Sequence, residues 1–287
     1  MLCTTLFAPE RNLFFEAENN YPITIGVEVE KQVESFSSSF EKIDVYTTKH
    51  CGNMLVLDGA IQLTQWDNAA YHEMIAHVPL LNHPHPKRVL IIGGGDGGTL
   101  SEVLKHQDVA KVTLCEIDGE VIRVSQKYFP EFSKSFSDPR IRAVIDDGAA
   151  FIQQYHDYFD IIIVDASDPE GPACVLYSEE FYTDIFNALT ADGIVVAQGE
   201  SPFFHRDLIK EWHIRNKKLF KHAAYYYALV PTYPSGVIGF MYASKSFAPD
   251  HHKFLDSKQL PENLHYYTPE LHDASFILPA FINSIFK

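Results

Sequence analysis

The sequence predicts an α/β protein, a doubly wound parallel sheet preceded by a small N-terminal antiparallel β domain. Three observations carry that prediction. Val89-Leu90-Ile91-Ile92 is an apolar run of strand length, followed by turn residues from Gly93 to Gly98 and helical spacing at Leu100, Val103 and Leu104. Beyond residue 88, strand-like and helix-like segments alternate, as βαβ units do. Before residue 66 only strand signals occur, among them an Asp-Gly hairpin.

In chain order, Ile23, Ile25, Val27 and Val29 alternate with Thr24, Gly26, Glu28 and Glu30, the period of a half-buried antiparallel strand. Phe40 to Thr47 reads as a second strand. Met54 to Leu57, the Asp58-Gly59 turn and Ala60 to Leu63 read as a hairpin. Asn68 to His77 predicts a helix. Its His72-Glu73 and His77 miss the i, i+4 step of a zinc-protease motif; at roughly 100° per residue the two imidazoles diverge, and no metal site is expected. The polar, proline-rich Asn82 to Lys87 reads as a linker. It divides a β domain with its linking helix (1–82) from a catalytic domain (83–287). In the second domain strands should end at Ile92, Glu116, Asp146, Asp165 and Gln198. Helices are expected near 99–106, 118–128, 148–155, 178–189 and 205–220, with two closing strands near 222–230 and 236–243.

A chain of 287 residues with 46% hydrophobic content supports a substantial core. Its net charge of −15 lacks the basic stripe that nucleic acid requires and suits cationic small molecules. Cys3, Cys51, Cys115 and Cys174 form no C-x-x-C pair, which predicts reduced thiols and a cytoplasmic location. No apolar run has the length of a membrane helix, and Glu10-Arg11 breaks the short apolar start that a signal peptide would need.

The glycines at 93, 95 and 98 fit G-x-G-x-x-G, a turn that lets a ligand approach the backbone. The strand Lys111 to Glu116 ends on an acid placed to accept hydrogen bonds from ribose hydroxyls. Asp96 alters the usual reading. A carboxylate where a dinucleotide enzyme holds pyrophosphate would repel that ligand, and the helix dipole keeps it ionised. Asp96 beside Glu116 suits a nucleoside with a cationic tail, such as the sulfonium S-adenosylmethionine or its decarboxylated form. Ligands on such sheets lie outside the carboxyl ends of strands, which selects Asp96, Glu116, Asp147, Asp165 and Asp168. Five acids without evident basic partners are costly unless cations fill the crevice. Asp165 and Asp168, three apart, pair as base and amine anchor, and the stretch Pro169 to Tyr177 suits a covering loop. Tyr233, in a proline-bounded turn, and Tyr71 are aromatic faces for alkylammonium groups.

These residues resemble the polyamine aminopropyltransferases, specifically the spermidine synthase family. The resemblance runs almost end to end. It rests on Asn53 to Gln62, Tyr71-His72-Glu73-Met74, Gly93 to Gly98, Cys115-Glu116-Ile117-Asp118 and Asp147-Gly148. It continues through Asp165 to Pro169, Gly171-Pro172, Pro231 to Gly236, and Tyr266-Tyr267 to Leu278-Pro279. It implies a methyltransferase-like Rossmann domain behind the β domain, in a homodimer or homotetramer. It implies transfer of the aminopropyl group of decarboxylated S-adenosylmethionine, a co-substrate and not a resident cofactor, to putrescine. By the same resemblance Asp165 is the general base and Asp168 an amine anchor, with Tyr71, His72 and Tyr233 along the polyamine path. Asp96 and Gln62 hold the aminopropyl end of the donor, Glu41 is a donor-side contact, Glu116 takes its ribose, Asp147-Gly148 its adenine, and Pro172 packs on the nucleoside.

Three positions depart from the family's pattern. Glu41 replaces a glutamine, so that an ionised side chain accepts but does not donate hydrogen bonds. Trp66-Asp67-Asn68 replaces Arg-Asp-Glu, and Ala166 replaces a small polar residue. A diamine N-methyltransferase using intact S-adenosylmethionine shares many of these motifs, but its donor's carboxylate would be repelled by Asp96 and Glu41. A non-catalytic polyamine or nucleoside binder would have no use for the Asp165/Asp168 pair.

Overall fold

The computed structural model describes residues 12–17, 23–169, 171–249 and 260–287, and of Pro172 the backbone alone. Five strands, β1 (Leu13–Ala17), β2 (Thr24–Ser37), β3 (Lys42–Thr48), β4 (Asn53–Leu57) and β5 (Ala60–Thr64), form an antiparallel sheet in sequence order. The Asp58-Gly59 turn joins β4 and β5 with both residues at positive φ, as a tight hairpin demands.

Helix α1 (Asn68–Asn82) follows, and then β6 (Arg88–Gly93), α2 (Gly98–Leu104), β7 (Lys111–Glu116), α3 (Gly119–Tyr128) and α4 (Pro130–Ser133). Next come β8 (Ile141–Ile145), α5 (Gly148–Ile152), β9 (Phe159–Asp165), α6 (Glu179–Ala188), β10 (Leu189–Gln198) and α7 (Arg206–Leu219). The chain ends with β11 (His222–Leu229), β12 (Val237–Ser244), α8 (Pro269–Ser275) and α9 (Ala280–Asn283). Seven strands order as β11-β12-β10-β9-β6-β7-β8. The run from β10 to β8 is parallel, and β12 and β11 add antiparallel at one edge. The chain switches direction across the sheet between β6 and β9, where a doubly wound fold opens its crevice. One apolar core lies between the sheet and α1 and α2; a second lies on the opposite face under α5 and α6.

Two expectations need correction. The helix predicted to end at His77 runs to Asn82, with Pro79 inside it. Every residue from Ala70 to Asn82 is buried, so no polar face marks the helical period, and packing from all sides offsets the N–H that Pro79 lacks. The segment read as a polar linker begins buried. Asn82 Nδ2 donates to the carbonyl of Pro249 at 2.9 Å, and the His83 ring packs edge-on against Phe247. Polar residues can lie inside when they are paired. The linking helix itself packs on the seven-stranded sheet. The N-terminal sheet is joined to helices α3 and α4 of the large domain by a third core, in which Ile43, Val45, Leu55 and Leu63 meet Val121, Val124, Phe129 and Phe132.

Candidate active site

At the carboxyl ends of the parallel strands lies a cavity of about 750 Å³. It gathers Asp96, Glu116, Asp147, Asp165 and Asp168, and adds Glu16, Glu41, Asp58 and Glu200. No lysine or arginine is among the described residues that line it. The side chains at 96, 116, 147 and 165 therefore share one space.

Asp165 ends β9 next to Gly93, its partner in β6. Gly94 N–H donates to the Asp165 carbonyl at 2.8 Å. Gly93 has a φ of 78°, and a Cβ there would fall 2.1 Å from the same carbonyl oxygen, so the turn requires glycine. The Asp165 carboxylate is held by two hydroxyls: Tyr71 Oη donates to Oδ1 at 2.7 Å and Thr99 Oγ1 to Oδ2 at 2.6 Å. Burial, and then the charge of Asp96, push the Asp165 carboxyl above its ordinary range against the pull of His72 and the two hydroxyls. Tyr71, buried beside Asp165, is pushed well above the usual phenol value, first by burial and then by that carboxylate.

Asp96 is shifted the other way. Burial opposes its ionisation, but the charge and hydrogen bond of His72 and the N–H of Gly98 outweigh burial and lower it. Gly98 N–H donates to Asp96 Oδ1 at 2.6 Å, and His72 Nε2 stands 3.5 Å from the same oxygen. The two neighbouring carboxyls are thus driven in opposite directions by their surroundings.

His72 is not among the residues lining the cavity. It stands behind Asp96, edge-on to Tyr71 and Phe132, and a Cβ on Gly98 would fall 2.1 Å from its Cε1. Its placement follows from helix geometry, because the neighbouring Tyr71 takes the face toward the cavity. His77 turns elsewhere, to His106 at 2.9 Å and Glu102 at 3.0 Å.

Glu116 ends β7 and accepts Gly95 N–H at 2.9 Å and Asp118 N–H at 3.0 Å. Burial raises it to about 7, although those N–H groups pull downward. Glu41 lies on the N-terminal sheet's side of the cavity and is also raised to about 7, by burial first and then by Glu116, Asp118 and Asp58. Asp147 caps α5, accepting Ala149 N–H at 2.8 Å, with Gly148 buried beside it. Gln62 and Tyr233 meet across the cavity, Tyr233 Oη donating to the Gln62 carbonyl at 2.8 Å. Tyr233 also packs edge-on to Tyr71. Asp168 accepts from Gln198 Nε2 at 3.2 Å. The expected covering loop is a short helical turn, Gly171–Tyr177, with Ala173, Val175 and Leu176 on the cavity. The side chain of Pro172 lies outside the described residues, as does Cys3.

Sequence reasoning missed four lining or supporting residues. Thr99 opens α2 and looked like a helix start, yet its hydroxyl orients Asp165. Gln198 and Glu200 follow from the strand-end rule, had it been applied past β10. Glu200 is buried at a φ of 62°, a conformation glutamate rarely takes. Its Oε2 lies 3.0 Å from His205 Nδ1, while Oε1 has no hydrogen-bond partner among the described residues. Glu16 reaches the cavity from β1 and accepts Ile61 N–H at 2.6 Å; nothing local in its sequence marked it.

Comparison with known proteins bears on the whole chain. The family model for the spermine/spermidine synthase domain matches residues 68–253, and that for the spermidine synthase tetramerisation domain matches residues 13–65. A polyamine aminopropyltransferase of Leptospira biflexa is 46% identical over 263 residues, covering 92% of this chain and 93% of the relative. One from Caldicellulosiruptor bescii is 42% identical over 283 residues, covering 97% and 99%. Among solved structures, a spermidine synthase in complex with the transition-state analogue AdoDATO superposes with a TM-score of 0.90 at 38% identity, covering 96% of this chain and 95% of the other. The spermidine synthase of Thermotoga maritima superposes at 0.89 with 38% identity, covering 96% and 94%.

Proposed function

The chain belongs to the spermine/spermidine synthase family and is a polyamine aminopropyltransferase, and from that premise we propose that it is a spermidine synthase. It moves the aminopropyl group of decarboxylated S-adenosylmethionine to putrescine, giving spermidine, 5′-methylthioadenosine and a proton. The observation that carries this reading is the single cavity rich in carboxylates and free of lysine and arginine among its described lining residues. Two cationic substrates would neutralise what is otherwise a costly cluster of like charges.

In this reading the donor lies over Glu116, which takes the ribose hydroxyls, with adenine at Asp147-Gly148 and Pro172. Its aminopropyl end reaches Asp96 and Gln62, and Glu41 is a further contact on the donor side. The acceptor runs past Tyr71 and Tyr233, with its far ammonium toward Asp168 and Glu200. An alkylammonium has a pKa of about 10.4 and is not a nucleophile until it loses a proton. Asp165 accepts that proton as attack proceeds; its raised carboxyl makes it a better base near neutrality than an exposed aspartate. The amine lone pair forms the new N–C bond while the C–S bond breaks, its electron pair going to sulfur. The sulfonium leaves as a neutral thioether and needs no acid. Asp96, held low by His72 and Gly98, stays anionic and anchors the cationic end. Alignment of nitrogen, carbon and sulfur supplies much of the remaining acceleration.

The tetramerisation segment at 13–65 supports a homo-oligomer, dimer or tetramer, and the free thiols at Cys51, Cys115 and Cys174 support a cytoplasmic location. No helix among the described residues is long and apolar enough to cross a membrane.

Incubation with putrescine and each donor tests the reaction. Methylthioadenosine and spermidine from the decarboxylated donor are expected. S-adenosylhomocysteine from the intact donor would replace the proposal with an N-methyltransferase, and no product with any diamine would leave a binding protein.

A further inference from the structure

Helix α1 carries Tyr71 to the catalytic carboxylate, yet its own sequence does not fix where it sits. It is buried on every side from Ala70 to Asn82, and Pro79 removes a bond from its ladder. Apolar packing is non-directional, so it sets the axial position and rotation of such a helix less narrowly than hydrogen bonds do. Directional bonds narrow that choice: Asp67 ties the helix start, Tyr226 Oη donates to the Met74 carbonyl at 3.0 Å, and Glu73 makes three bonds from the middle of the helix. Glu73 Oε1 accepts His265 N–H at 2.7 Å, and its Oε2 accepts Tyr266 N–H at 2.8 Å and Tyr267 N–H at 2.7 Å. Glu73 is 1% exposed, and no described residue of 260–287 lines the cavity. Two residues along a helix is a turn of about 200°, so Glu73 and Tyr71 leave α1 on nearly opposite faces. One faces the C-terminal segment, the other faces Asp165.

The segment is itself fixed to the large domain. Leu229 N–H of β11 donates to Tyr266 Oη at 2.9 Å. Tyr267 is buried edge-on to His77, with Oη 2.8 Å from His272 Nδ1 of α8. Charge-assisted bonds from three consecutive N–H groups are strong and geometrically narrow.

The geometry points to His265–Tyr267 as a positioning element of the active site. Acting through Glu73, the segment sets the placement of α1 and so holds Tyr71 Oη on Asp165. Glu73 is then a positioning residue and touches no substrate. The inference rests on the transferase reading only for its kinetic readout.

A double-mutant cycle with Tyr71→Phe tests it. Glu73→Gln keeps the shape but turns an amide toward backbone donors, and kcat should fall about tenfold to a hundredfold while donor KM holds. In the Tyr71→Phe background the same change should cost nothing further. An equal loss in both backgrounds, or an unchanged kcat, overturns the inference and leaves Glu73 a fold-stabilising group. If Glu73→Gln does not fold, Glu73→Asp keeps the charge, shortens the reach by one methylene and enters the same cycle. The Asp165 carboxyl titration, followed by ¹³C NMR without substrates, is a second readout: Glu73→Gln should shift it, but not in Tyr71→Phe. Should the wild-type enzyme release no methylthioadenosine, the transferase reading fails, and this titration cycle alone decides the inference.

Discussion

Asp165 is the proposed base, and removing its basicity tests that role. Asp165→Asn should lower turnover by at least about 10²-fold and leave methylthioadenosine binding largely intact, measured by steady-state rates and calorimetry. A parallel loss of binding would contradict the base assignment. Glu41 gives a prediction with a sign in pH. Its carboxyl is raised from 4.5 to about 7, by burial and then by Glu116, Asp118 and Asp58. Between those values the folded chain keeps a proton that the unfolded chain has released. Stability therefore falls as pH rises through that window, and Glu116, also near 7, contributes with the same sign. Glu41→Gln should flatten the fall and raise Tm at pH 8 with little change at pH 4; parallel melting profiles would remove Glu41 from the cluster. The same substitution should change donor KM more than acceptor KM. Glu200, with Oε1 unpaired among the described residues, should matter to the other substrate: Glu200→Gln is expected to raise putrescine KM about tenfold, some 1.4 kcal/mol, and to spare donor KM. Equal effects on both substrates would place Glu200 outside the acceptor path.

Elements carry these residues, and the joints between elements decide where they arrive. The start of α1 is tied by Asp67, whose Oδ1 accepts Thr64 Oγ1 at 2.6 Å and whose Oδ2 accepts Thr232 N–H at 2.9 Å and Thr232 Oγ1 at 2.8 Å. That buried bridge joins the hairpin to the turn bearing Tyr233. Asp67→Ala leaves buried donors unpaired and should cost about 2–4 kcal/mol in denaturant unfolding, with acceptor KM rising as the turn loosens. An unchanged midpoint would show that water replaces the carboxylate. The alternating residues of β2 and the Asp58-Gly59 hairpin were legible because a half-buried strand and a tight turn write their period locally. Helix α1 was half legible: the pattern stops at His77 because a helix without a polar face has no period to read. Asn82 and His83 looked like linker because their buried partners lie far along the chain.

Across the whole molecule, the core that the N-terminal sheet shares with α3 and α4 makes one body of two patterns. Phe132 lies in that core, edge-on to His72, 6% exposed, and Phe132→Ala should cost about 3–5 kcal/mol. Calorimetry should still give one transition; two would mean that the N-terminal sheet unfolds by itself. The acids Asp96, Glu116, Asp147, Asp165 and Asp168 could be picked from sequence because strand ends on a parallel sheet converge by rule. Thr99, Glu16 and the Glu200–His205 pair could not, since their roles depend on which side chain meets which across the cavity. His72 was expected along the polyamine path, but it stands behind Asp96 and does not line the cavity. By itself, then, the sequence determined the two sheets, the glycine turn and the ring of strand-end acids, all written in local period and composition. Only the tertiary structure decided which carboxyl rises and which falls, and what holds Tyr71 on Asp165. Those outcomes depend on burial and on hydrogen bonds between residues far apart in the chain, and neither is a property of any short stretch of sequence.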